Sequence, residues 1–435
     1  MNVFYVGDNR NSPNWGRGAS IALAQLLSGA FQITGRVSGN LFVLSLAEVG
    51  YVNTLLRPRH YEVFLHLWNH RNFRPFRWYI KLEQWLGARD FIAEDPEESV
   101  DNLLAHKGRY PGLARIFDQA AAADLLVIDG DGDIVFTTPP RRQTLFLLAM
   151  IELGIRLKKP VFLVNSMISD CPTNGQNKRT VAVARKLFGQ CRGVALRDPE
   201  SIEYARREMP EVHCSYFPDS LFAWHSLYQE PSAKPPPNGD FLLPHPEKEE
   251  YWGKLDFSRP YVCIGGGAAS SCRANEAVAS YKKLVEGIKE LGLAVYLTEN
   301  DEADSFLRKV ALETNVGLVP AHTPILMCGA VLANARLFIS GRYHPSIFAS
   351  LGGTPCIFLA SHAHKMESLP RVLEYDEPQR FSAVPTDAEI KAIISAAKAY
   401  LAQGEPLRAR IRSSSKARCD EVRQLPAFIQ QRMAC

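Results

Sequence analysis

Three aspartates at alternate positions, Asp129, Asp131 and Asp133, are separated only by glycines and follow a short apolar run. Carboxylates so spaced at a strand end can take or return a hydroxyl proton, and equally can satisfy backbone N–H groups in a solvated turn. Position favours a catalytic role for at least one of them, and Asp129 and Asp131 are the expected acid–base groups. In the second half, another apolar run ends at Ser340 and Gly341, and Arg342 and His344 are released just beyond it, before Pro345. Proline suits the first turn of a helix, and a helix start favours an anion through its free N–H groups and partial positive charge. The Arg342 fork matches phosphate or carboxylate, and His344 can donate a hydrogen bond or a proton, so His344 is expected both to bind and to catalyse. The next apolar run delivers Ser361, His362, His364 and Lys365 to the same edge. The convergence predicts a seat for a small anionic donor, with Arg342 exposed in a cleft. The plain alternative is a structural Arg–carboxylate pair with surface histidines.

Weaker signals accompany these. Gly265, Gly266 and Gly267, followed by Ser270, allow close backbone approach to a ligand, but the stretch lacks the P-loop lysine and the full GxGxxG pattern. Ligand contact there competes with a bare tight turn. Thr298, Glu299 and Asn300 end the next run; Glu299 is expected on the donor side, its alternative being a helix-start residue. The DxD-like spacing also suggests metal-dependent glycosyl transfer. Magnesium would want further oxygen ligands that have no evident place, so neither a metal nor another cofactor is expected.

These residues need a scaffold, and the chain alternates apolar runs with helix-like segments, as βα units around parallel sheets do. In the first half, strands are expected at 2–6, 124–128, 160–164 and 193–196, with helices at 18–27, 144–157, 178–188 and 199–208. A stretch rich in proline and charge interrupts the pattern, which restarts with strands at 261–264, 294–298, 316–319, 337–340 and 355–359. Helices are expected at 274–290, 301–314, 324–333 and 345–351. The expected organisation is an N-terminal α/β domain over 1–230 on the acceptor side, a linker over 231–260, a C-terminal donor-binding α/β domain over 261–386, and a helical tail over 387–435. The tail is expected to pack back on the first domain.

With 435 residues, 46% of them apolar, two cores can be buried. Fifty Lys and Arg against 46 Asp and Glu give a net charge of +4, too mild and dispersed for wholesale nucleic-acid binding. The nine cysteines form no CxxC pair and read as reduced thiols of a cytosolic protein. No signal peptide or membrane span is expected. Aromatic residues interleave with Arg, Lys and His over 57–89, a mix suited either to an anionic membrane face or to filling the first domain's core. The aromatic spacing yields no single apolar face and favours core filling.

The stretch containing Gly341, Arg342, His344, Phe348, Ala349, Gly353, Pro355 and Lys365 resembles the polysaccharide pyruvyl transferase family. The similarity extends to Gly7, Asp8, Asn14 and Gly16 at the start, and to Arg197, Asp198, Ser201, Pro218 and Asp219. The chain departs from the family pattern at Arg17, where an acidic residue is usual, and in the Asp-Gly alternation itself, where a glycine run is usual. The resemblance implies two Rossmann-like domains facing across a cleft, as in the GT-B glycosyltransferases. It further implies transfer of a pyruvyl group from phosphoenolpyruvate to a saccharide of a cell-surface polysaccharide or its precursor, on the cytoplasmic side. Arg342, His344, Lys365, the glycine run, Ser270 and Glu299 are then expected to hold the donor, and Asp8, Asn14 and Arg17 the acceptor, lipid-linked if 57–89 meets a membrane. Two other classes remain open: a GT-B glycosyltransferase using a nucleotide-activated sugar, and a sugar- or nucleotide-binding protein without catalysis.

Overall fold

The computed structural model describes residues 1–10, 14–38, 91–171, 174–229, 254–267, 269–270, 273–321, 323–361, 363–376 and 378–434. The segment 57–89 and nearly all of the proline-rich stretch lie outside the described residues, as does His362.

Two parallel sheets organise the chain. The first has strand order β2-β1-β3-β4-β5-β6, formed by β1 (Asn2–Val6), β2 (Gln32–Val37), β3 (Leu125–Phe136), β4 (Val161–Asp170), β5 (Gly193–Leu196) and β6 (Cys214–Tyr216). The second runs β11-β10-β7-β8-β9, from β7 (Tyr261–Gly267), β8 (Ala294–Thr298), β9 (Gly317–Val319), β10 (Leu337–Gly341) and β11 (Cys356–Phe358). Central strands of such sheets are covered on both faces, and β1 and β10 are accordingly apolar almost throughout. Strand order reverses between β1 and β3 in the first sheet and between β10 and β7 in the second, and open α/β sheets bind ligands at such switch points.

The helices beside the strands are α1 (Arg17–Ser28), α2 (Pro96–His106), α3 (Pro111–Ala122), α4 (Arg142–Arg156), α5 (Lys178–Phe188) and α6 (Pro199–Glu208) in the first half. In the second they are α7 (Ala274–Lys289), α8 (Phe306–Thr314), α9 (Ile325–Asn334), α10 (Tyr343–Leu351), α11 (Lys365–Val372), α12 (Asp387–Val422) and α13 (Leu425–Ala434). Caps mark several starts: Asp198 accepts from the Ser201 N–H at 2.8 Å and Asn177 from the Thr180 N–H at 3.0 Å. Thr386 and Glu389 close a reciprocal capping box at α12.

Three expectations fail in informative ways. The strand expected to stop at 128 continues to Phe136, pairing Asp131 with Ser166 and Ile134 with Ile168 across a register shift. The Asp-Gly alternation is therefore a bulged strand extension and not a turn; Asp131 itself has φ 41°. Glycine is needed at 130 because a Cβ there would lie 2.2 Å from the Ser166 hydroxyl. The glycines 265–267 belong to β7 and are buried, so they are neither a loop nor a ligand cradle. The helix expected over 301–314 is split into a 3-10 turn, Glu302–Asp304, and α8. Two edge strands, β2 and β6, and the helices α2 and α3 were not anticipated.

The lobes share buried contacts. Trp15 is fully buried in a cluster that joins α1 and the 3-10 helix Ser220–Tyr228 to Tyr343, Ile347 and Phe348 of α10. Its indole N–H donates to the Ala321 carbonyl at 3.1 Å. The tail crosses between lobes: α12 packs Ile390, Ile393 and Ala397 with α7, while Leu425 and Ile429 of α13 join Val3, Tyr5 and Leu23. Gly353, at φ +79°, lets α12 come close; a Cβ there would sit 2.4 Å from the Arg408 carbonyl oxygen. Gly292 has a similar φ of +76° but open space around it. Gly292→Ala is expected to lose about 1–2 kcal/mol from the left-handed backbone alone. Gly353→Ala should lose clearly more, and urea unfolding of the two variants checks the difference.

Candidate active site

A cavity of about 610 Å³ opens where the two sheets' switch points face each other. The N-terminal half contributes Asn14, Gly16, Asp131, Gly132, Asp133, Arg141 and Arg197 to its wall. The C-terminal half contributes Asn300, Asp301, Arg342, Tyr343, His344 and Lys365. The extension of β3 carries the first wall's aspartates and the start of α10 carries the second wall's Arg, Tyr and His.

Arg197, only 1% exposed, sits at the junction. Its Nη1 donates to Asp131 at 2.5 Å and to Asp219 at 2.7 Å, and lies 3.3 Å from His344 Nε2. The guanidinium also stacks on the Tyr343 ring, 4.6 Å from its centroid. Nη1 has two protons and both match carboxylates, which leaves His344 Nε2 facing the same two acids at 3.4 Å. Burial would push Asp219 up, but Arg197 and His344 outweigh it and pull it down to about 2. Burial acts likewise on Asp131, which Arg197 and His344 hold below the ordinary carboxylate range. One atom each of Asp131, Asp219 and His344 lies within 4.8 Å of the others, close enough to chelate a cation. The Arg197 Nη1 already occupies that position and supplies the positive charge, so the cluster does not fit a metal. Arg197 Nη2 has no protein partner among the described residues and faces Gly132, where a Cβ would approach it to 3.2 Å.

The three alternating aspartates have separate fates. Asp129 is 2% exposed, does not line the cavity, and accepts from Tyr5 at 2.8 Å, Ser20 at 3.0 Å and Asn165 at 3.0 Å. Burial, then repulsion from Asp131, pushes it to about 7. It braces β1, β3 and α1 beneath the site, which corrects the expectation that it is an acid–base group. Asp131 does line the cavity, but its tight contact with Arg197 makes it a fixed counter-charge. Asp133 lies on the wall with its side chain 23% exposed, and its closest basic group is Arg141 at 3.4 Å. Burial, only partly offset by Arg141, raises it to about 6.

Arg342 also requires correction. Its Nη1 and Nη2 grip Asp301 at 3.0 and 2.9 Å, while Nε and Nη2 hold the fully buried Asp304 at 3.0 and 2.7 Å. The guanidinium reaches the cavity wall but is compensated by two carboxylates instead of standing exposed. Lys365 is different. It opens α11, lines the cavity and forms no ion pair or hydrogen bond with the described residues. Burial, then repulsion from Arg197 and Arg342, brings it down to about 8.

Several other expected ligand contacts are structural. A Cβ on Gly265 would meet Ser340 and Thr298, and one on Gly266 would lie 2.2 Å from Asp304. Gly267 approaches Gly341, so all three serve packing against neighbouring strands and the Arg342 clamp. Ser270 is buried and donates to the Gly267 carbonyl at 2.7 Å. Glu299 is buried with Arg308 at 2.9 Å and lies off the cavity wall. Asp8 pairs with Arg10 at 2.6 Å, and Arg17 donates to the Thr323 carbonyl at 2.8 Å; neither lines the cavity, whereas Asn14 does. His364 bonds Asp198 at 2.9 Å between the lobes. Arg197 and Asp219 stood in motifs of the resemblance without a role, and Arg141 and Tyr343 gave no signal, because only the fold brings them to His344 and Lys365.

A family model described as polysaccharide pyruvyl transferase matches residues 48–363. The chain belongs to that family. The fold, two parallel-sheet α/β domains, is of the GT-B type, as in a solved UDP-GlcNAc 2-epimerase. UDP-GlcNAc 2-epimerase from Methanocaldococcus jannaschii, in complex with UDP-GlcNAc and UDP, is 11% identical with a TM-score of 0.50, covering 92% of each chain. UGT2 from Phytolacca americana, complexed with UDP-2-fluoro-glucose and pterostilbene, is 12% identical with a TM-score of 0.48 over 99% of each chain. No curated protein matches the sequence. Among the described residues no helix is long and apolar enough to cross a membrane.

The Arg342 clamp makes a stability prediction. Arg342→Ala strands Asp304 in the interior and is expected to cost about 3–5 kcal/mol, as breaking a buried pair does. Asp304→Asn in the same chain should recover part of that loss in chemical denaturation near neutral pH.

Proposed function

We propose that the cavity binds phosphoenolpyruvate and transfers its pyruvyl group, as a ketal, to a saccharide of a cell-surface polysaccharide or its precursor. The carrying observation is Lys365, a half-buried ammonium without a carboxylate partner among the described residues, at a helix start and lining the same cavity as Arg197 and the first turn of α10. An anion placed there meets charge that the protein does not itself neutralise. Lys365 and Arg197 hold the donor's phosphate and carboxylate in this reading, His344 lies beside them, and Arg342 keeps the start of α10 in place. Family membership supports the reaction type. A cavity of about 610 Å³ leaves room for a sugar next to so small a donor, with Asn14 on the acceptor side. Phosphoenolpyruvate is a cytosolic compound, which places the reaction on the cytoplasmic side.

Ligand-shift calorimetry tests the donor. Phosphoenolpyruvate at about 100 times its Kd is expected to stabilise the protein by about 2.7 kcal/mol, and nucleotide sugars are expected to give no comparable shift. Lys365→Met should remove the phosphoenolpyruvate response while the unliganded protein melts normally. Selective stabilisation by a nucleotide sugar would instead assign the cavity to glycosyl transfer.

A further inference from the structure

A ketal-forming reaction needs a proton delivered to the donor's methylene carbon and protons removed from two attacking hydroxyls. His344 on the wall has its Nε2 turned to Asp131 and Asp219 at 3.4 Å, and the other residues that could do this are few. Of the three carboxylates on the cavity wall, Asp131 is held by Arg197 at 2.5 Å and Asp301 by Arg342 at 2.9 Å. Among the described residues Asp133 has only Arg141 at 3.4 Å, and its side chain remains 23% exposed. Of the four Lys and Arg residues on the wall, Arg197 and Arg342 are each clasped by two carboxylates, and a guanidinium does not surrender a proton in a protein. Lys365 has no ion-pair partner among the described residues and can. Asp133 stands on the N-terminal wall and Lys365 on the C-terminal wall, the two sides of one cavity.

We infer that Asp133 and Lys365 are the base and the acid of the transfer, acting on acceptor and donor from opposite walls. The inference rests on the pyruvyl reading and names the groups that move protons within it. The Lys365 ammonium gives its proton to the methylene carbon of phosphoenolpyruvate, whose double-bond electrons form the new C–H bond. The first sugar hydroxyl attacks the neighbouring carbon and its proton passes to the Asp133 carboxylate. The bond from that carbon to the phosphate oxygen then breaks, and the phosphate leaves with the proton from Asp133. The second hydroxyl closes the ketal and returns a proton to the Lys365 amine. Both groups end as they began: the methyl group carries the proton Lys365 gave, Lys365 regains one from the second hydroxyl, and the first hydroxyl's proton leaves on phosphate.

The surroundings suit these roles. Asp133 is raised to about 6 by burial, with Arg141 opposing, Asp131 reinforcing, and Lys365 and Arg197 also opposing. Lys365 is lowered to about 8 by burial, by Arg197 and by Arg342, with Asp131 opposing and Arg141 adding to the repulsion. The reactive form is the carboxylate together with the ammonium, which prevails between those two values.

Phosphate release from phosphoenolpyruvate, with a panel of methyl hexosides as acceptors, is measured from about pH 5 to about pH 9. Wild-type kcat/KM is expected to be bell-shaped, falling below a pH near 6 and above one near 8. Asp133→Asn should lower kcat by about 10²–10⁴-fold while its calorimetric shift with phosphoenolpyruvate is retained, and Asp133→Glu should restore part of the rate. Lys365→Arg keeps the charge, so it should retain the shift, lose turnover and lose the alkaline limb; this arm stands alone if Asp133→Asn does not fold. Asp133→Asn turning over within about threefold of wild type, or Lys365→Arg with an unchanged alkaline limb, overturns the inference. Failure of the pyruvyl reading itself shows differently, as wild-type protein that phosphoenolpyruvate does not stabilise.

Discussion

The arrangement depends on a single buried cation shared between two aspartates and a histidine. Arg197 leaves the end of β5 with almost no contact with water, a position tenable only because Asp131 and Asp219 neutralise it. Asp131 reaches it from the bulged extension of β3, and Asp219 from the start of the 3-10 helix, where it also accepts the Leu221 N–H at 2.9 Å. Tyr343 and His344 meet the same guanidinium from the other lobe. One charge thus sets the height of the β3 extension and the seat of α10 together. Because two carboxylates neutralise it, it acts as a fixed post for the cavity, with Nη2 turned to Gly132 and Nε buried without a hydrogen-bond partner among the described residues.

A similar economy governs the rest of the wall. Arg342 and its two aspartates hold the loop after β8 against the start of α10. Asp129 gathers Tyr5, Ser20 and Asn165, and Asn165 in turn accepts the Ser220 N–H at 2.9 Å. These networks satisfy buried polar groups and rigidify the cleft. They also set apart Asp133 and Lys365, the carboxylate and the cation on the cavity wall with the fewest partners among the described residues. Lys365 is additionally placed by the contact between α6 and α11. His364, just before it, meets Asp198, and Arg371 reaches Glu200 at 2.6 Å and Glu203 at 3.0 Å. The helix that presents the lysine is thereby tied to the opposite lobe, as is Trp15 through its hydrogen bond to Ala321.

Local pattern was informative wherever a segment's own chemistry decided its structure. The helices α5 and α6 begin and end where capping residues and apolar spacing indicate, and the apolar cores of β1, β8 and β10 are evident from their runs. The family resemblance rested on Gly341, Arg342, His344 and Lys365, and the family match spans most of the chain. Local reading failed at the Asp-Gly alternation. Without neighbours that stretch has the composition of a turn, and only β4 and the hydroxyl of Ser166 make it a strand. It failed again at the glycines of β7, whose close neighbours are Ser340, Asp304 and Gly341, distant in the chain.

From the amino-acid order alone came the two α/β halves, the family, and the short set of residues among which the chemistry must lie. Periodicity, capping and motif order are local quantities, and each is complete within a few neighbouring residues. Which charged groups are spent and which are free was decided only by the tertiary structure. Aspartates two positions apart became a brace, a counter-ion and an accessible acid because each meets a different partner from a remote strand or helix. An arginine expected to be open was closed by Asp301 and Asp304, and a lysine at a helix start was left alone. Ion pairing depends on distances between groups far apart in sequence, and those distances exist only once both sheets have packed.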